Sequence, residues 1–278
     1  VTVVDAFLYA GERDMCELRL RTLAEAVDMF VPVICARTHQ GEPVDLAGLL
    51  DLPDVARTVD VRPYVTNPEP IPDGTRGGVG SRWYQFIERQ HRDAIVRGCD
   101  AAGVPGDAVV MVSDVDEIPS PDTVVEFARR IGASDRVAWY VAAQRFHSTA
   151  LDLLHPQQPW LGTTASRATD LAPQQMRDCR GQLYDTDGAT VRDGGWHFSW
   201  FGTDDERARK LDTFSHAELR DVFDPAVART HFVHANGEKL THLTVAQVAA
   251  LGWPAPIVDG TFAVPDHWWI CPPQDPGR

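Results

Sequence analysis

The sequence predicts an α/β fold, a Rossmann-like and mostly parallel sheet flanked by helices, with an irregular C-terminal part. Three observations carry this expectation. Apolar, β-branched runs alternate with helix-periodic segments through the first half, the pattern of βαβ units. The run Val109-Val110-Met111-Val112 is apolar on both faces, as a strand buried inside a parallel sheet must be. A chain of 278 residues with 44% hydrophobic content is long enough for one large core. We read it as a single domain over 1–278, with a first half over 1–132 and a second over 133–278.

The elements follow in order. Thr2 to Tyr9 is rich in β-branched and aromatic residues and reads as a strand, punctuated by Gly11. From Arg13 to Ala26, the positions Met15, Leu18, Leu23 and Val27 mark an amphipathic helix. Phe30 to Cys35 is a second strand, so β-α-β implies a parallel pair. Arg57 to Tyr64 is a third. Asn67 to Gly80 holds four Gly and three Pro and reads as a mobile surface loop. Trp83 to Arg97 is a helix burying Trp83, Phe86, Ile87, Ala94 and Ile95. After the Val109 strand, Ser120-Pro121 starts a helix to about Ile131, with Ser as N-cap and Pro at the first position. In the second half, Arg136 to Ala143 and Trp196 to Phe201 read as strands, and Asp204 to His216 as a helix. The Pro-rich tail after Gly252 is expected to wrap the surface.

Composition narrows the function. The net charge of -14 argues against non-specific nucleic-acid binding. No stretch approaches the roughly 20 apolar residues of a membrane span. Val1 to Tyr9 lacks the basic n-region of a signal peptide. The five cysteines, Cys16, Cys35, Cys99, Cys179 and Cys271, are odd in number and form no C-x-x-C pair. A reducing, cytoplasmic setting fits. Lysine occurs only at 210 and 239, and the Arg, Ala, Val, Asp and Gly bias points to a GC-rich bacterial genome.

The chemistry concentrates where the Val109 strand ends, in Ser113-Asp114-Val115-Asp116-Glu117. In open α/β sheets, ligands bind beyond the carboxyl ends of the strands. Asp114 and Asp116 point the same way if strand geometry persists. Two hard oxygen ligands on one side suit Mn²⁺ or Mg²⁺, ions that bridge to substrate phosphates. The alternative is a solvated strand end whose aspartates cap the next helix. The chain supplies a control in Asp185-Thr186-Asp187-Gly188, which has the same spacing in a polar stretch and reads as a turn. Tryptophan faces, as in Trp196-His197-Phe198-Ser199-Trp200 and Trp268-Trp269, suit sugar rings or a large core. Mg²⁺-dependent nucleotidyl or phosphoryl transfer also uses paired carboxylates, but no Walker Gly-rich loop is present. A non-catalytic sugar-binding domain on a degenerate transferase fold is a third reading.

Three segments together resemble glycosyltransferase family 17. The first is Asp5-Ala6-Phe7-Leu8, then Glu17-Leu18-Arg19-Leu20 and Val27-Asp28-Met29-Phe30-Val31. The second runs from Glu88 through Arg92-Asp93-Ala94-Ile95 to Gly98, then from Ser113 to Pro119. The third is Gly194 to Gly202, then Lys210-Leu211 and Phe214-Ser215-His216 with Glu218. Three positions depart: Ile34 stands where the family usually has Glu, and His91 and Asp93 flank Arg92 where it has Gln and Asn. The resemblance implies a GT-A fold, a nucleoside-diphosphate sugar donor with a UDP-sugar favoured, a divalent metal and an inverting displacement onto a small-molecule or glycan acceptor. It places the donor against Asp5, Phe7, Arg92, Asp93, Asp114 and Asp116. The metal falls to Asp114 and Asp116, with His197 as a possible third ligand. The base is left open among Asp193, Glu117 and His197. Trp196, Trp200, His216 and Glu218 fall on the acceptor side.

Overall fold

Residues 3–9 are buried without exception and form strand β1, Val3–Tyr9. Helix α1, Arg13–Leu23, leads to β2, Met29–Cys35, which is also buried throughout. Total burial explains why neither strand alternates: each side chain meets a helix on one face or the other. The computed structural model describes residues 1–69, 83–133, 138–213, 224, 229, 231–234 and 237–270. Most of the Gly/Pro segment, His216, Glu218 and Cys271 lie outside these residues.

The chain continues through α2 (Leu46–Leu50), β3 (Tyr64–Thr66), α3 (Trp83–Ala101), β4 (Val109–Asp114), β5 (Glu117–Pro119) and α4 (Pro121–Ala133). The second half adds β6 (Trp139–Ser148), β7 (Leu153–Leu154), β8 (Trp160–Arg167), α5 (Pro173–Asp178), α6 (Arg180–Asp185), β9 (Thr190–Val191), β10 (Gly195–Ser199), α7 (Asp204–Thr213) and β11 (Thr241–His242). The sheet order is β11-β7-β6-β8-β4-β1-β2-β3. The β4-β1-β2-β3 part is parallel, and β8 joins it antiparallel against β4. Strands from both halves of the chain therefore share one sheet. This is the expected Rossmann-like α/β architecture.

Two apolar layers sandwich the parallel strands. Val4, Ala6, Val31, Val33, Val110 and Val112 pack with Ala94, Ile95 and Cys99 of α3. Phe7, Tyr9, Phe30, Ile34 and Met111 pack with Leu18 and Leu23 of α1 and Val124 and Phe127 of α4. Each fully buried side chain of this kind contributes about 1.5–3 kcal/mol.

Several boundaries differ from expectation. Helix α1 stops at Leu23 rather than Ala26. The third strand is Tyr64–Thr66, preceded by a 3-10 turn at Asp54–Arg57 and a lone bridge from Val61 to Phe30. Pro63 has no N–H for the ladder, so pairing resumes only beyond it. Phe86 is exposed, because it lies about 100° round the helix from Ile87, which faces the sheet. Strand β6 extends on to Ser148, past the expected end at Ala143. Strand β8 was not foreseen: Gly162-Thr163-Thr164-Ala165-Ser166 is too small and polar to show an apolar period. An added Cβ at Gly162 would overlap Gln144 Oε1, so the glycine makes room for that side chain. The C-terminal tail does more than wrap the surface. Trp268 is fully buried against Phe201 and Phe262.

His91 of α3 is buried, with Nε2 2.8 Å from the Val33 carbonyl and Nδ1 without a partner. Burial pushes its pKa down from 6.5 to about 4. The unfolded imidazole takes a proton that the folded one refuses, so stability falls as pH drops from 6.5 toward 4 and is unaffected above that window. The cost is about 2–3 kcal/mol at the acid end. His91→Gln should flatten the fall in Tm between pH 7 and pH 4.5; an unchanged slope would contradict this account.

Candidate active site

Strands β1 and β4 end side by side, with Leu8 opposite Asp114. Their carboxyl edge is where an α/β sheet receives ligands. The stretch from Asp114 to Glu117 that closes this edge carries three carboxylates. One side chain holds it. Arg19, on the buried face of α1, is fully inaccessible and forks Asp5 through Nε (2.7 Å) and Nη2 (2.6 Å). The same guanidinium donates to Ser113 Oγ (2.6 Å) and to the carbonyls of Asp114 (3.1 Å), Val115 (3.3 Å) and Glu117 (2.9 Å). Its carbon also sits 4.6 Å from the Phe7 ring centroid. The guanidinium donors thus tie β1 to the end of β4 and the turn that follows it.

The carboxylates divide by partner. Asp114 Oδ1 is 2.9 Å from Arg92, which is itself buried on α3 and lies 3.4 Å from Glu88. Arg177 pairs with Glu88 from α5. Burial alone would raise the Asp114 pKa, but Arg92, Arg177 and Arg180 outweigh it and hold the carboxyl well below the usual range. Glu117 is buried and takes two hydrogen bonds from Arg180 (3.0 and 2.8 Å), one from Trp160 Nε1 (2.8 Å) and one from the Asp114 N–H (3.2 Å). Burial opposes its charge, yet Arg180 above all keeps the carboxyl below its ordinary value.

Asp116 stands apart from this arginine network. Its Oδ1 is 3.7 Å from His197 Nδ1 and its Oδ2 is 3.6 Å from Lys210 Nζ. Burial, reinforced by the charges of Asp114 and Glu117, raises its pKa to about 6, although Lys210 pulls the other way. His197 is placed by β10, which pairs antiparallel with β5 so that His197 lies opposite Glu117. That close approach needs Gly195, at φ +124°, where an added Cβ would lie 2.2 Å from the Ile118 carbonyl. The imidazole stacks on Trp160 (centroids 4.6 Å apart, planes at 11°) and lies 4.7 Å from Phe146. Burial pushes its pKa down to about 4, so the ring is neutral at pH 7 with a lone pair available.

Asp114, Asp116, Arg92 and His197 are thus brought together. Other expected site residues are placed elsewhere. Asp5 and Phe7 are wholly buried beneath Arg19 and offer a donor no surface. Asp93 is exposed and accepts from the Gln174 N–H at the start of α5. Glu117, charged and saturated with donors, has no lone pair free to act as a base. Asp193 is exposed at φ +51° in the turn before β10, about 13 Å of extended chain from His197. Trp196 is buried and donates to the Gly252 carbonyl (2.7 Å), which makes it a core residue. Trp200 is buried at φ +62° with Lys210 Nζ 5.5 Å from its ring centroid. Asp185 and Asp187 are both exposed, as expected of the control pair.

Sequence reasoning missed the roles of Arg19, Trp160, Arg177, Arg180 and Lys210. Arg19 left a signal: it lies four residues after Met15 on an apolar helix face, where an arginine needs a buried partner. Arg177 and Arg180 left none, because the short α5 and α6 carry no strong period.

Asp114, Asp116 and His197 do not form one ligand set. Among the described residues, no three His, Cys, Asp or Glu side chains converge as a metal cage would. Arg92 occupies Asp114 Oδ1 and repels a dication there. Asp116 with His197 does fit a divalent ion: the buried Nδ1 has no hydrogen-bond partner and faces the carboxylate. Such an ion would complete its shell with substrate oxygens and water.

Removing Arg19 should be costly. Arg19→Met leaves Asp5 buried and unpaired, and urea unfolding should register a loss of about 3–5 kcal/mol. Arg21→Ala, which breaks only the half-exposed pair with Glu17, should cost under about 1 kcal/mol. Equal losses would refute the clamp. Asp193→Ala should leave turnover within about twofold, since general-base loss costs about 100-fold or more.

Comparison with curated proteins returns no match. Similar solved structures include a 2-C-methyl-D-erythritol 4-phosphate cytidylyltransferase from Francisella tularensis, at 10% identity and TM-score 0.40, covering 77% of this chain and 100% of that one. Another is the glycosyltransferase GlyE of Streptococcus pneumoniae, at 15% identity and TM-score 0.28, covering 80% of this chain and 52% of that one. The chain thus spans about half the length of GlyE. Neither likeness is close enough to bear on activity. No helix among the described residues is long and apolar enough to cross a membrane. The model of glycosyltransferase family 17 matches residues 1–235, a span that contains every site residue described above. The chain belongs to glycosyltransferase family 17 and is a glycosyltransferase.

Proposed function

We propose that this glycosyltransferase moves a hexose or N-acetylhexosamine from a nucleoside-diphosphate sugar, preferably a UDP-sugar, to an acceptor hydroxyl with inversion. The observation that carries the reading is Asp116. It is a half-buried carboxylate at the sheet's carboxyl edge, held between a neutral imidazole and an ammonium rather than within the arginine network. Asp116 and His197 would hold Mn²⁺ or Mg²⁺. When bound, the ion supplies positive charge to the diphosphate oxygens. Asp114, fixed by Arg92, is positioned to receive the ribose hydroxyls of the donor. In the transfer, the acceptor oxygen forms a bond to the anomeric carbon as the bond from that carbon to the phosphate oxygen breaks. The electron pair leaves with the nucleoside diphosphate, and the hydroxyl proton passes to a base on the acceptor side.

Incubation with Mn²⁺ and a panel of UDP- and GDP-sugars should release nucleoside diphosphate. Asp116→Asn should lower that rate by about 100-fold or more while Tm stays near wild type. Asp185→Ala and Asp187→Ala should leave both rate and metal dependence unchanged. Release of pyrophosphate would assign the site to nucleotidyl transfer, and full activity in Asp116→Asn would overturn the mechanism.

A further inference from the structure

Lys210 reaches Asp116 from the second half of the chain on a firmly seated helix. Thr203 caps α7, accepting from the Glu206 N–H (3.2 Å), while Glu206 accepts from the Thr203 N–H (2.7 Å). Arg207 is buried beside it and donates to the Gly202 carbonyl. Lys210 is one of only two lysines among 26 Lys and Arg residues. A compact ammonium on a flexible stem stands where this chain elsewhere uses a planar guanidinium fork. The Trp200 ring lies 5.5 Å from Nζ, and burial of Trp200 at φ +62° spends local strain to keep the ring there. Glu12, at the start of α1, is a second negative group in the field of the ammonium.

This arrangement conflicts with a lone dication. The carboxylate that would ligate the ion already faces an ammonium at 3.6 Å. Two cations on one carboxylate repel strongly at such spacing. An anion between them removes the conflict, and a diphosphate is such an anion. We propose that Lys210 is the donor site's own cation, pairing with Asp116 while the site lacks donor and turning to the diphosphate when metal and nucleotide bind together. The inference rests on the metal–diphosphate reading above and adds a residue and a consequence. Metal and nucleoside diphosphate bind with strong positive coupling, and Lys210 opposes the metal alone.

Calorimetric titration of wild type and Lys210→Met with MnCl₂, and with UDP or GDP in the presence of MnCl₂, tests this. In Lys210→Met, Mn²⁺ alone should bind about tenfold tighter and the nucleotide about tenfold more weakly. Lys210→Arg should restore nucleotide binding in part. A merely structural lysine would not move the two affinities in opposite directions. Both affinities unchanged, or both shifted the same way, would overturn the role of Lys210 alone. Absence of Mn²⁺-dependent binding of either nucleotide to wild type would overturn the functional reading, and this inference with it. If Lys210→Met fails to fold, Lys210→Gln keeps the stem and serves the same comparison.

Discussion

A single guanidinium sets the shape of the sheet's carboxyl edge. Arg19 joins Asp5 on the central strand to the backbone of the turn after β4. The turn has no regular ladder of its own between Asp114 and Glu117, so its carbonyls need donors from elsewhere. Supplying them from a buried arginine has a cost, because the charge must be neutralised without water. Asp5, the one carboxylate inside an otherwise apolar strand, is that neutralising group. The pair explains an acidic residue in a strand buried throughout and a basic one on the apolar face of α1.

With the turn fixed, its carboxylates take on separate work. Glu117 is consumed in holding Arg180 and Trp160, and so ties β5 to β8 and α6. Asp114 is bound to Arg92 on α3. Only Asp116 is left facing groups that a substrate can rearrange. This division is electrostatic. Three carboxylates, Glu88, Asp114 and Glu117, face three arginines and stay ionised, while Asp116 lies among like charges with one lysine and is pushed up to about 6. The same turn therefore contains fixed charges and one adaptable charge, the contrast on which the proposed capture of a diphosphate rests.

The aromatic wall beside Asp116 has a similar logic. Trp160 donates to Glu117 through its indole N–H and offers its face to His197. Phe146 lies against both rings. The imidazole is thereby kept neutral and oriented, with Nδ1 toward Asp116. In the proposed transfer, such a wall would keep water from the anomeric carbon.

Much of this was legible in the sequence. The apolar runs of β1, β2 and β4, the helices between them and the acidic tip follow from periodicity and from residues whose burial is forced by chemistry. Helix α3 was visible from its apolar stripe, and Arg92 from its place on the helix that precedes the acidic strand. The sequence alone thus determined the α/β class and the acidic tip at the carboxyl end of β4. Tertiary structure decided the rest. It placed β8, which has no apolar signal, between β4 and β6, and it took Asp5, Phe7 and Glu117 out of the site by giving them buried partners. It also brought His197 and Lys210 to Asp116 from 81 and 94 residues further along the chain. The reason is physical: periodicity reports which face of an element is dry, whereas charge pairing depends on which elements meet, and only the folded chain specifies that.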